Sequence, residues 1–259
     1  MLSKIVEILK FLLFKPKIAD GCLAVGDTTN DFWLSDIKNL SDVLSKSVKQ
    51  DDKIIQRNQN KNRWSTMFCT AVAPICAIAS IYNRELSDIE MKKFFDYAKK
   101  EYGYREWVGN DMKIGVDAAR NYWNSTLAGK SETVMSFLTT LNSKDIQDCF
   151  NKWYACTFCY NGNTLYNEDK KDRLLQGTSF GVRQYGHCIM LYKDFVYDSN
   201  KGDFDDSYKI WPGNLQALID SWCYANEAYV FLPFEVIIAK PKSKLQLYLE
   251  RIALARKTK

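Results

Sequence analysis

The chain has 259 residues and a net charge of +5, enough length for one large domain or a two-lobed enzyme. Apolar residues make up 46 % and charged residues 26 % of it, which fits a globular chain with a sizeable core; sparse glycine and proline exclude collagen-like and linker-dominated architectures. The charge is modest and spread along the chain, so it does not point to nucleic acid, and no run reaches the ~18 apolar residues of a membrane span.

Residues 1–15 read as an apolar helix stopped by Lys15-Pro16-Lys17. Glu7 and Lys10 interrupt it and no small-residue cleavage site follows closely, so an amphipathic helix that docks on a neighbour or a partner is expected, not a secretion signal. Residues 16–62 are irregular and polar, with a short helix at 35–48. From Cys69 to about Asn83 the sequence is apolar and long enough for a buried helix. A second helix covers residues 86–103, with Ile89, Phe94, Tyr97 and Ala98 along one face and Ser87 and Glu90 placed as a capping box. After the loop 107–115, a third helix spans 116–125.

The texture changes after about residue 128. A short helix at 144–154 precedes four β-type stretches, at 155–162, 178–184, 187–198 and 227–234. Lys193-Asp194 marks a tight hairpin inside the third of these. A helical half followed by a β half predicts an α+β fold and not alternating βαβ units. At residues 240–259, Leu245, Leu249 and Ile252 fall at helical spacing among lysines and arginines. That is a basic amphipathic helix, packed on its own domain or offered to a partner. The eight cysteines have no framework spacing, so a reduced compartment is expected. Cys156 and Cys159 form a single C-x-x-C with no second pair, a poor zinc site. No metal and no cofactor are expected.

Cys69 follows a polar, loop-like approach and opens an apolar run. At a helix N-terminus it gains unpaired backbone N–H groups and the positive end of the dipole, both of which favour a thiolate. His187 is the chain's single histidine. It begins an apolar strand in the opposite half and could serve as general base and acid. A Cys–His pair meets the requirement of thiol-dependent acyl transfer. The strand after the hairpin ends in Asp198, Ser199 and Asn200; either Asp198 or Asn200 could orient the imidazole, because turn length shifts the register. Gln56 and Gln59 lie upstream of Cys69, where an oxyanion donor is wanted.

In the order Gln, Cys opening an apolar helix, Gly-His on a strand, then Asp-Ser-Asn after a hairpin, residues 48–235 resemble the papain-like cysteine peptidases. The resemblance implies a two-lobed α+β fold. The helical lobe covers about 64–128 and the antiparallel β lobe about 129–235, with an N-terminal arm at 1–47 and a basic tail at 236–259. It implies Cys69 as nucleophile, His187 as base, Asp198 in the place of the orienting Asn, and Gln59 at the oxyanion position; Gln59 stands ten residues before Cys69 where the family has six, and unless the inserted residues loop out, Thr66 or Ser65 is the donor instead. A thiol-dependent hydrolase cleaving peptide or isopeptide bonds through an acyl-enzyme follows, its substrate lying in the interlobe cleft. The alternative is a papain-fold protein without catalysis, a structural or binding component. Relatives of this kind occur in bacteria and tailed phages, so a cytoplasmic or virion-associated place is expected.

Overall fold

The computed structural model describes residues 26–37, 40, 55, 57, 68–105, 109–129, 132–140, 156–161, 186–192, 195–197, 199, 207–209 and 227–233. Three α-helices precede six β-strands among them: α1 (Cys69–Ile81), α2 (Asp88–Tyr102), α3 (Met112–Tyr122), then β1 (Val134–Thr140), β2 (Cys156–Asn161), β3 (Gly186–Tyr192), β4 (Phe195–Tyr197), β5 (Ser207–Lys209) and β6 (Glu227–Pro233). The strands form one sheet in the order β1-β6-β2-β3-β4-β5, every neighbouring pair antiparallel. Helices first and an antiparallel sheet after them make an α+β fold. The expected helices at 1–15 and 144–154, the strand at 178–184 and the tail helix lie outside the described residues, as does most of the short helix at 35–48; Leu34–Asp36 form a 3-10 turn. No helix among the described residues is long and apolar enough to cross a membrane.

α1 is buried on every side, from Cys69 through Ser80. That suits a sequence, CTAVAPICAIASI, that is apolar all round and has no polar face to show. It packs most extensively on α3 and on β3. Pro74 sits inside it, and a proline there can give no N–H to the carbonyl four residues back, which is that of Thr70. Gly115 of α3 packs on that Thr70 carbonyl so closely that a methyl group on Gly115 would overlap it. The two helices therefore cross backbone to backbone where the proline has interrupted the hydrogen-bond ladder. Ser80, near the other end, accepts the Ile55 N–H at 2.9 Å and donates to the Cys76 carbonyl at 2.8 Å. Asn83 takes a left-handed conformation, φ 49°, and the Arg84 N–H returns to Ala79 O at 3.0 Å, closing the helix.

α2 is the helix expected at 86–103, with the Ser87–Glu90 capping box formed and Gly103 in a left-handed C-terminal cap. Its buried stripe is Met91, Phe94, Phe95 and Ala98, the i, i+3, i+4, i+7 spacing. Ile89, assigned to that face from sequence, is 68 % exposed because it lies in the first turn and on the opposite side. α3 starts four residues earlier than expected, at Met112. Gly115, read as a loop residue, is internal, since only a residue without Cβ fits against Thr70. α3 runs on into a π-helical turn, Trp123–Leu127. Asn124 there exchanges two 2.9 Å hydrogen bonds with the backbone of Val134.

The sheet is buried on both faces. Val134, Leu138, Cys188, Met190, Tyr197, Tyr229 and Phe231 join the helices in one core. The alternate residues Phe137, His187, Ile189, Leu191, Ala228, Val230 and Leu232 are buried as well, but strand alternation sends them to the other face. Burial on both sides erases the period-two pattern. This explains why β1, with Ser136 and the two threonines in VMSFLTT, was not expected. β5, at Ser207–Lys209, was likewise not expected. The hairpin expected at Lys193-Asp194 agrees with the pairing of Tyr192 with Phe195.

Candidate functional site

Cys69 is the first residue of α1, as expected. Phe68 precedes the helix, and its carbonyl accepts the Ala71 N–H at 3.0 Å and the Val72 N–H at 2.8 Å. The thiol is completely buried. Cys69, Cys76 and Cys188 are all thiols and not disulfides. Cys76 lies two turns along α1, inside the core.

The side chain that dominates this helix end is one the sequence reading passed over. Tyr104 is buried, with its hydroxyl 2.6 Å from the Thr70 hydroxyl and its ring 5.4 Å from that of Phe68. It thus touches both sequence neighbours of Cys69. Burial raises the pKa of this phenol well above its ordinary value, the neighbouring thiols of Cys69 and Cys188 push it the same way, and the contacts with Thr70 and Ala71 pull against them. The phenol is therefore a neutral hydroxyl across the physiological range. The available signal for Tyr104 was its position directly after Gly103, the residue that stops α2.

His187 is the second residue of β3, and it is buried, with 2 % exposed. Its neighbour Cys188 and Met190 face the helical layer. His187 belongs to the alternate set, with Ile189 and Leu191, on the opposite face. α1 thus packs against β3, and strand alternation groups His187 with Ile189 and Leu191, not with Cys188 and Met190 on the side of the helices. Ser199, after the hairpin, is buried. Asp198, Asn200 and Gln59 lie outside the described residues, as do Gln56, Ser65 and Thr66. Among the described residues no group of three or more His, Cys, Asp or Glu is placed to hold a metal.

A second polar cluster lies between α3 and the sheet. The Tyr229 hydroxyl donates to Asp31 at 2.5 Å, Lys113 pairs with Asp31, and Lys113 also reaches Asp117 at 2.9 Å. Burial pushes the Tyr229 phenol far up, and its bond to Asp31 pushes it further. Arg120 reaches Asp117 at 2.9 Å as well, so two acids and two bases tie residues 26–37 to the core as charges that neutralise one another. Compared with known proteins, the chain matches no family model, no curated protein and no solved structure.

Proposed function

We propose that this chain is a papain-like scaffold working as a structural or binding module, with its thiol site closed. The observation that carries this reading is the setting of Cys69. It is completely buried, Tyr104 packs on both residues flanking it, and strand alternation puts His187 on the far face of β3. A nucleophile and its base work within about 3 Å of one another, and a thiol with no solvent contact presents nothing to a substrate. In this reading the N-terminal segment at 1–15 or the basic tail at 236–259 engages a protein partner, in the cytoplasm or on a virion.

One observation favours a second reading, a thiol-dependent hydrolase. Cys69 holds the first position of its helix, where the dipole assists a thiol nucleophile, and that helix packs on the strand that His187 opens. The Cys69 sulfur would then attack the carbonyl of a peptide or isopeptide bond. His187 would take the thiol proton and pass it to the leaving amine, Asp198 or Asn200 would orient the imidazole, and Gln59 would donate to the oxyanion. Water would release the acyl group and restore the thiol.

Alkylation of the native full-length chain with iodoacetamide at neutral pH, mapped by peptide mass spectrometry, separates the two, together with turnover on a mixed peptide library. The module reading expects Cys69 unmodified and no turnover. Selective labelling of Cys69 with turnover that Cys69→Ala and His187→Ala both abolish overturns it in favour of the hydrolase.

A further inference from the structure

We infer that Tyr104 is a built-in latch, whose hydroxyl pins the first turn of α1 and whose ring closes Cys69 off from solvent. The inference rests on the closed-site reading above and supplies its physical cause. Two contacts bracket the thiol: the Phe68 ring on one side of Cys69 in sequence and the Thr70 hydroxyl on the other. The Thr70 hydroxyl is a polar group of the helix's first turn. Tyr104 occupies it with a neutral hydroxyl, where a thiol-hydrolase site would need room for a substrate carbonyl beside the sulfur.

The latch is held from both directions. Behind it, Gly103 takes the left-handed cap of α2, and the Tyr104 N–H bonds to Ala98 O at 3.1 Å, so the end of α2 sets where Tyr104 starts. Ahead of it, Asn110 clamps Arg105. The Arg105 N–H donates to the Asn110 side chain at 2.9 Å, and the Asn110 amide donates to the Arg105 carbonyl at 3.0 Å. Phe68, against which the ring rests, is itself stacked on Phe95 of α2 at 4.2 Å. The phenol is thus fixed by α2 and by the start of the α2–α3 connection, and α1 receives it.

The test compares alkylation of Cys69 with that of Cys76 in the native full-length chain. Cys76 is buried in the same helix two turns deeper, so it reports general loosening of α1. Tyr104→Phe keeps the ring and removes the hydroxyl. Thr70→Val removes the hydroxyl's partner from the other side and stands in should Tyr104→Phe fail to fold. Each is expected to speed modification of Cys69 by about five- to tenfold, the size set by one buried hydrogen bond, while Cys76 stays at its wild-type rate. Rates for Cys69 that do not change, or that rise in step with Cys76, overturn the latch and leave the closed-site reading standing. A wild-type Cys69 that already reacts freely overturns both.

Discussion

α1 and α2 are neighbours in sequence and of similar length, yet they are stabilised in opposite ways. α2 carries the local signals of a helix: a capping box at Ser87 and Glu90, a left-handed glycine cap, acids in the first turn, lysines in the last, and one apolar stripe. α1 has no side-chain cap, a proline in its interior, and no polar face. A helix with caps and a stripe holds its ends by itself and needs a core on one side only. A helix without them is held by what surrounds it, and its ends are tied to other elements by side chains: Thr70 to Tyr104 at the start and Ser80 to Ile55 near the finish. Substitutions around α1 should therefore cost more than substitutions at the ends of α2.

The sharpest break falls on Gly115. A methyl group there overlaps the Thr70 carbonyl, and two packed helix backbones have little freedom to part. Gly115→Ala is expected to lose about 3 kcal/mol or more, the upper end of overpacking effects, read as the shift of a urea unfolding midpoint. An unchanged midpoint would mean that α1 and α3 do not cross at that point. Next comes Ser80→Ala, which strips the Ile55 N–H of its acceptor inside the core. A buried donor left without a partner costs roughly 1–3 kcal/mol; a smaller loss than that of Ser87→Ala would contradict the claim that α1 depends more on its surroundings. Ser87→Ala removes the cap of α2, at about 1 kcal/mol, and should leave the alkylation of Cys69 as it was.

The same contrast explains what could be read from the sequence. The capping box, the Gly103 stop and the extent of α2 were legible because they are local chemistry. α1 was legible by its apolar length, and Cys69 at its start by the change from polar to apolar. The Ile89 error came from counting apolar residues without asking which turn they occupy. The start of α3 was missed because Gly115 looks like a loop residue until Thr70 of another helix is seen against it. The setting of the candidate site was the least legible part. Tyr104 reaches Thr70 across more than thirty residues, and no spacing rule connects them. The face on which His187 lies depends on the register of β3 against β2 and β4, where a slip of one residue reverses every side chain.

The smallest expected effect is a pH dependence confined to α2. Burial alone would raise the pKa of Glu90, but the Ser87 N–H and hydroxyl and the Arg84 guanidinium outweigh it and hold the carboxyl below its ordinary value of 4.5. These contacts are a 2.9 Å bond from the Ser87 N–H, 2.8 Å from its hydroxyl and 2.9 Å from Arg84. A carboxyl whose pKa is lower when folded than when unfolded binds fewer protons in the native state. Its contribution is therefore complete above the unfolded value and is lost as the pH falls through the folded one. Glu90→Gln removes that contribution and keeps an acceptor for Ser87. The melting temperatures of wild type and Glu90→Gln should differ most at neutral pH and converge well below the ordinary glutamate value. The gap is modest because Glu90 is partly solvated and such pairs are screened. Added salt should narrow it at neutral pH, whereas the loss caused by Gly115→Ala, which is steric, should not respond to salt in that way. A gap that stays constant from neutral to acid pH would show that the Glu90 carboxylate does not stabilise the cap, and the stability of α2 would then rest, like that of α1, on its buried side.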